Sequence, residues 1–195
     1  MKRVILSAII ALCSFTVTFA QQTDKELTKE EAKAQKQKEK EMKKQLAEAQ
    51  ELAEFNAAVA ALEKGAFVLE ADRVEFKRGT FVNVISTTNF VMQEDNKATV
   101  QLAFPGAAIG PNGVGGLTVE GDVSNAEVTR DKKGNVHYRC NVIGTGLSAT
   151  VTISMPNGTN YCTATVTPNF NSNRTSFTGH LKPKALSSIF KGMAL

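Results

Sequence analysis

Beyond Gly65, the chain alternates between apolar and polar residues with a period of two. In segments 136–142 and 147–155, every second side chain is apolar and those between are polar. This is the period of a β-strand with one buried face and one face in water. Together with the turn residues between them, such runs predict nine strands, near residues 67–77, 80–86, 88–93, 97–104, 117–129, 136–143, 147–155, 160–167 and 174–181.

Eight to nine antiparallel strands at this spacing predict a mainly β domain, either a small barrel or a sandwich. Of the two, we prefer an up-and-down, lipocalin-like barrel. The chain has no Trp and only two Tyr, so it lacks the aromatic girdles of an outer-membrane barrel. We therefore expect a soluble β domain.

The segment from residue 23 to 64 contains no Gly or Pro and is rich in Ala, Glu, Lys and Gln, which predicts one long helix. Thr28 and Glu31 fit a capping box at its start, and Gly65 suits its end. Its charged first half has no face to bury. Its second half has one apolar stripe, expected to pack on the β domain: Leu52, Phe55, Val59 and Leu62.

The charged half of this helix has two further interpretations. Lysines recur along one side, as on a surface that meets lipid head groups, but acidic residues dilute them and favour a solvated spacer. The apolar steps also permit a coiled-coil pair, although fewer than three full heptads are present. We expect a monomer or a weak helix-mediated dimer.

The C-terminal segment after Pro183 contains Leu186, Ile189 and Phe190, followed by Gly192. Pro in a first turn and Gly past the end are typical of a short helix. We expect this short C-terminal helix to close one end of the β structure.

The first twenty residues have the order of a secretory signal peptide. Lys2 and Arg3 precede an apolar run that ends at Ala20. The run is too short for a transmembrane span, and Leu12 before Cys13 disfavours lipidation. We expect a signal peptide over residues 1–20, a helix over 21–65 and an antiparallel β domain over 66–195, with the mature chain periplasmic or secreted.

Charge and cysteine content exclude some partners and cross-links. The net charge of +4 falls to +2 when Lys2 and Arg3 are removed, which does not indicate a nucleic-acid partner. If Gly144-Thr145 and Asn157-Gly158 are two-residue loops, Cys140 lies opposite Ala149 and Cys162 opposite Ile153. The thiols are then roughly 16 Å apart, too far for a disulfide, and we expect them buried and unpaired.

A charged cluster at the first strand is the best candidate for ligand contacts. Strand alternation places Glu70 and Asp72 on one face with Val74, and Arg73 on the other face. These charges suit either a salt-bridged edge strand or a polar floor in a ligand cavity.

The glycine-rich loop over residues 106–116 is the second candidate. Its ligand-contacting residues would be Asn112, Gly113 and Gly115. A phosphate cradle leads into a helix, whereas this loop leads into a strand, so it is either a flexible connection or a lid beside a barrel mouth. His137 and His180 are far apart in sequence with no further ligand at metal spacing, and we expect no metal, no cofactor and no catalytic residues.

Segments 67–74, 100–104 and 110–116, with Gly179, Leu181, Pro183 and the closing Phe190-Lys191-Gly192, resemble an uncharacterised family of small exported proteins from Gram-negative gut bacteria. That family is known only as a domain of unknown function. The resemblance covers residues 66–192 and implies the signal peptide and the charged helical lead-in, but no activity and no site residues.

Three functions remain open. The first is a non-enzymatic binding module that holds a small apolar or mixed ligand in a barrel, or contacts a protein or glycan through its loops. The second is a structural or envelope-associated module that binds an envelope protein through its N-terminal helix. The third is an enzyme, for which no reactive group stands out.

Overall fold

The computed structural model describes residues 29–104, 113–171 and 173–194. The predicted signal peptide and the capping residue Thr28 lie outside them. The chain divides into two compact units, Met1–Met42 and Lys43–Leu195. The described residues of the first unit are the helical, mostly exposed turns up to Met42.

Helix α1 spans Lys29–Lys64, as its composition predicts. Gly65 ends it with a φ of 64°. The Gly65 amide donates to the Leu62 carbonyl at 3.1 Å and the Ala66 amide to the Ala61 carbonyl at 3.0 Å, which satisfies carbonyls that the last turn would leave unpaired. Within the described part of the chain, no helix has the length and apolarity needed to cross a membrane.

The apolar stripe of α1 is buried only in the last three turns of the helix. Phe55, Val59 and Leu62 are at most 4% exposed and belong to the main hydrophobic cluster. Leu52, expected in the same stripe, is 53% exposed, and Leu46 is 69% exposed. Because Leu52 lies one turn before Phe55 on the helix, packing ends between these two residues.

Eight antiparallel strands close into a barrel and a short ninth strand extends it, so the barrel prediction is confirmed. Each of these eight strands pairs with the next of the eight along the chain, and the first of them pairs with the last. The short strand β2 (Phe81–Asn83) continues the line of β3 (Phe90–Glu94) along the same edge of β1 (Phe67–Phe76). The strands are β1 Phe67–Phe76, β2 Phe81–Asn83, β3 Phe90–Glu94, β4 Lys97–Ala103, β5 Gly116–Arg130, β6 Val136–Gly144, β7 Leu147–Met155, β8 Tyr161–Pro168 and β9 Thr175–Pro183.

Pairing of β1 with β9 closes the barrel, and the two backbones approach closely at Gly179. A Cβ atom on Gly179 would lie 2.0 Å from the Glu70 carbonyl oxygen and 2.7 Å from the Ala71 Cα atom. No side chain fits at that distance, so the closure of the barrel requires glycine there.

Two β-bulges reverse the alternation of their strands. In β1 the register shifts between Ala71 and Arg73, so Val74 joins the core that Leu69 and Ala71 also face. In β5 the register shifts between Ser124 and Glu127, next to Asn125 with a φ of 53°. A bulge adds one residue to one strand and thereby changes which side chains face inward.

The barrel interior is filled by apolar side chains. Inward residues of β1 and β3–β9 join the helix residues in one buried cluster. A polar pair lies near the helix end, where the Tyr138 hydroxyl donates to the side-chain oxygen of Gln93. The Tyr138 ring packs edge-on against Phe67 at 5.3 Å. The described part of the barrel therefore has a packed hydrophobic core.

Both thiols are buried and free. Burial raises the pKa of Cys140, and it raises the pKa of Cys162 to about 12. The predicted registers were wrong: Cys140 lies opposite Val151, because Gly144 pairs with Leu147 across Thr145–Gly146. Ile153 lies opposite Ala164, because the connection after Met155 has five residues.

The C-terminal segment differs from the predicted helix. Only Lys184–Leu186 forms a single 3₁₀ turn, and residues 187–194, here called the strap, have no regular structure. The strap lies on the outer face of the barrel, where Ile189 packs on Val68, Phe90 and Met92. The prediction that this segment closes one end of the barrel was therefore wrong, because its bonding partners lie on the outside of the wall.

Candidate binding sites on the barrel wall

The charged cluster of β1 lies on the outside of the barrel. The bulge after Ala71 turns Val74 inward, so the predicted shared face of Glu70, Asp72 and Val74 does not form. Arg73 and Glu75 form an ion pair at 3.3 Å on the same side of the strand. The expectation that charge occurs on both faces of β1 was therefore wrong.

Glu70 is the most buried acid of this cluster. Its carboxylate accepts hydrogen bonds from Lys182 Nζ at 2.8 Å and from Ser187 Oγ at 2.8 Å. Burial pushes the pKa of Glu70 up. The hydrogen bonds from Lys182 and Ser187, the Lys182 charge and the Ser188 amide outweigh burial and hold this pKa below its usual value. The carboxylate therefore stays ionised and holds the strap.

Acidification should detach the strap. A carboxylate with a lowered pKa in the folded state stabilises its contacts fully above the usual pKa of 4.5, and this stabilisation is lost as the pH falls through the lowered value. We expect the Ser188 and Phe190 amides to lose protection from hydrogen exchange below about pH 4.5. Glu70→Gln should weaken protection already at neutral pH, while Glu127→Gln, away from the strap, should not. Unchanged protection of the Ser188 amide in Glu70→Gln at neutral pH would contradict this account.

Asp72 and Arg73 each contact an aromatic residue of another strand. The Tyr161 hydroxyl donates to Asp72 Oδ1 at 3.1 Å, and the Arg73 guanidinium lies 4.0 Å from the ring centre of the exposed Phe81. These contacts tie β1 to β8 and β2. They match the salt-bridged alternative more closely than a cavity floor. The predicted edge position was wrong, because β1 pairs with β2 and β3 on one side and with β9 on the other.

The loop candidates lie in the connection between β4 and β5. Asn112 is outside the described residues. Gly113 and Gly115 have φ values of 74° and 81°, which favour glycine over other residues, and the Gly115 carbonyl accepts from the Phe104 amide at 3.2 Å. These loop residues and the β1 cluster lie on different elements of the fold.

A different site, which the sequence did not single out, lies on the outer wall of β5–β8. Two rows of outward side chains cross these strands in register. Together with Tyr138 and Ile153, these side chains line a groove of about 390 Å³, here called the hydroxyl groove. The first row is Thr129, His137, Ser154 and Thr163, and the second row is Glu127, Arg139, Thr152 and Thr165.

The hydroxyl groove combines donors and acceptors. Arg139 lies opposite Glu127 across the β5–β6 pair, but it forms no ion pair with another described residue. His137 Nε2 lies 3.9 Å from Asp131 Oδ2. On the β8 side the groove wall is held by hydroxyl pairs to β9, with Thr163 and Thr165 each 3.1 Å from a β9 hydroxyl. The groove can therefore hydrogen-bond a polar ligand from several sides.

Sequence alternation contained part of this signal. It marks His137, Arg139, Thr152 and Ser154 as members of wet strand faces. It does not show that wet faces of four strands line up, because that depends on register. The β5 bulge is also needed, since without it Glu127 would face inward.

Comparison with known proteins agrees with the earlier resemblance. The family model described as "Domain of unknown function (DUF4251)" matches residues 33–181. A crystal structure of a DUF4251 family protein from Bacteroides eggerthii superposes with a TM-score of 0.62 at 43% identity, over 73% of this chain and 96% of that chain. No curated protein matches the chain. The chain belongs to the DUF4251 family.

Proposed function

We propose that the chain is an exported, non-enzymatic binding module that holds a neutral saccharide in the hydroxyl groove. The observation that carries this proposal is the groove of about 390 Å³ with its two rows of polar side chains. Its volume falls within the usual range for small-ligand sites, roughly 300–1,000 Å³. Export follows from the signal peptide read in residues 1–20.

The packed interior supports a ligand on the outside. Phe55, Val59 and Leu62 form one buried cluster with the inward strand residues. A small apolar ligand in the core would have to displace these side chains. The outer wall needs no such displacement, because His137, Arg139, Thr152 and Ser154 are already exposed.

The chemistry of the groove favours a neutral sugar. Hydroxyl side chains both donate and accept, the guanidinium of Arg139 only donates, and the carboxylate of Glu127 only accepts. A saccharide presents many hydroxyls that also donate and accept. Because Arg139 and Glu127 face each other, the groove has no net excess of charge that would select an anion.

A second candidate is an envelope-associated module that uses the helix. Leu46 and Leu52 are 69% and 53% exposed, which leaves apolar side chains available for another protein or a weak dimer. Such a module would not depend on the hydroxyl groove.

Saccharide binding by groove variants tests the proposal. Wild-type protein should bind members of a panel of neutral oligosaccharides, and Arg139→Ala should weaken binding about tenfold, as expected when a site loses a hydrogen-bonding partner. The double change Thr152→Val and Thr165→Val should do the same. Binding is measured by titration calorimetry.

The matched control is Thr167→Val, an outward threonine of β8 that does not line the groove. It should bind like wild type. Equal binding by all variants, or no binding of any saccharide by wild type, would remove the proposal and favour the helix-mediated alternative.

A further inference from the structure

The strap is bound to the barrel as an extended peptide is bound to a receptor. The Phe190 amide donates to the Thr87 carbonyl at 2.8 Å. The Phe190 carbonyl accepts from Gln101 Nε2 at 2.8 Å, and the Gly192 amide donates to Gln101 Oε1 at 2.8 Å. One side-chain amide thus pairs with two backbone groups of the strap, as a neighbouring strand would.

Gln101 is built into the wall for this contact. It is fully buried. Its Nε2 also donates to the Thr88 carbonyl at 3.0 Å, and its Oε1 also accepts from the Thr118 hydroxyl at 2.8 Å. A buried carboxamide needs all its partners, since an unpaired one costs about 1–3 kcal/mol. The strap supplies two of the four hydrogen bonds.

The strap also contacts the barrel through its side chains. Ser187 donates to Glu70 at 2.8 Å, Ile189 enters the apolar cluster, and Lys191 pairs with Glu120. These residues alternate with Ser188 and Phe190, which are exposed. Alternating contacts of this kind give a peptide site its sequence specificity. We call this binding surface the strap site; its main members are Val68, Glu70, Phe90, Met92, Gln101 and Glu120.

The strap lies near the end of the chain and is connected through one 3₁₀ turn, Lys184–Leu186. No buried residue anchors that turn. The strap can therefore leave the strap site while the barrel strands stay paired.

We propose that the strap site is a peptide-binding site, and that the strap of a second copy of this chain occupies it in an exchanged dimer. Every contact made within one chain is then remade between two chains, so exchange costs mainly the opening of the turn and the entropy of association. This inference rests on the strap contacts and is independent of the hydroxyl groove.

Complementary charge reversal in full-length chains tests the exchange. One chain carries Lys191→Glu and the other carries Glu120→Lys, so each strap repels its own barrel but fits the other. Both side chains are partly exposed, at 43% and 30%, so both variants should fold. Native mass spectrometry of the mixture should show a heterodimer exceeding either homodimer by about tenfold.

The matched control carries both substitutions in one chain, which restores the attractive pair both within a chain and between two identical chains, so it should form the homodimer to the same extent as wild type. A second measurement uses a labelled peptide of residues 184–194. It should bind the Lys191→Glu chain, whose own strap is loosened, at least about tenfold more tightly than it binds wild type. A mixture without preferential heterodimer, or a peptide that binds neither chain, would overturn the proposal.

Discussion

Replacing Leu62 with alanine should lower the free energy of unfolding by about 2 to 5 kcal/mol. Leu62 is 2% exposed and joins the helix to the barrel core. Its loss removes apolar burial and leaves a cavity that the surrounding strands cannot fill. Urea unfolding followed by circular dichroism measures this change.

Leu52 is the matched control for this substitution, because it lies ten residues earlier on the same predicted stripe but is 53% exposed. Leu52→Ala should change the free energy of unfolding by less than about 0.5 kcal/mol. Equal effects at both positions would mean that the helix does not dock through its last three turns.

Gly179→Ala should destabilise the barrel by about 3 kcal/mol or more. The new Cβ would lie 2.0 Å from the Glu70 carbonyl oxygen, and backbone atoms cannot move aside as a flexible side chain can. The β1–β9 pair that closes the barrel must therefore separate locally. Thermal unfolding and hydrogen exchange at β1 and β9 measure the effect.

Gly158 provides a control substitution that should lower stability for a different reason. Its φ is 84°, and a Cβ there would meet nothing within 4 Å. Gly158→Ala should therefore cost only the conformational strain of the left-handed region, about 1 to 2 kcal/mol. If Gly179→Ala were the milder change, close approach at the barrel seam would not be the reason for glycine.

The charged cluster on β1 illustrates the limit of sequence reasoning about sites. The sequence marks Glu70 as unusual in an apolar strand. Its partners, Lys182 and Ser187, lie 112 and 117 residues later in the chain. No local pattern links such distant residues, so the role of Glu70 in holding the strap could not be predicted.

The hydroxyl groove was missed for a related reason. Each of its strands shows a polar face in sequence, but the rows form only when the registers are correct. Placing the β6–β7 turn at Gly144-Thr145 instead of Thr145–Gly146 moves Cys140 from Val151 to Ala149. A shift of this size also breaks the alignment of Arg139 with Thr152.

The sequence by itself determined the local elements: the long helix ending at Gly65, the nine strands and the apolar face of most of them. These follow from periodicity and turn chemistry, which act over a few residues. The tertiary structure alone decided the closure of β1 on β9, the two bulges that turn Val74 and Val128 toward the core, and the strap on the outer wall. Each of these depends on residues that are distant in the chain and are selected by how well the assembled strands pack and pair.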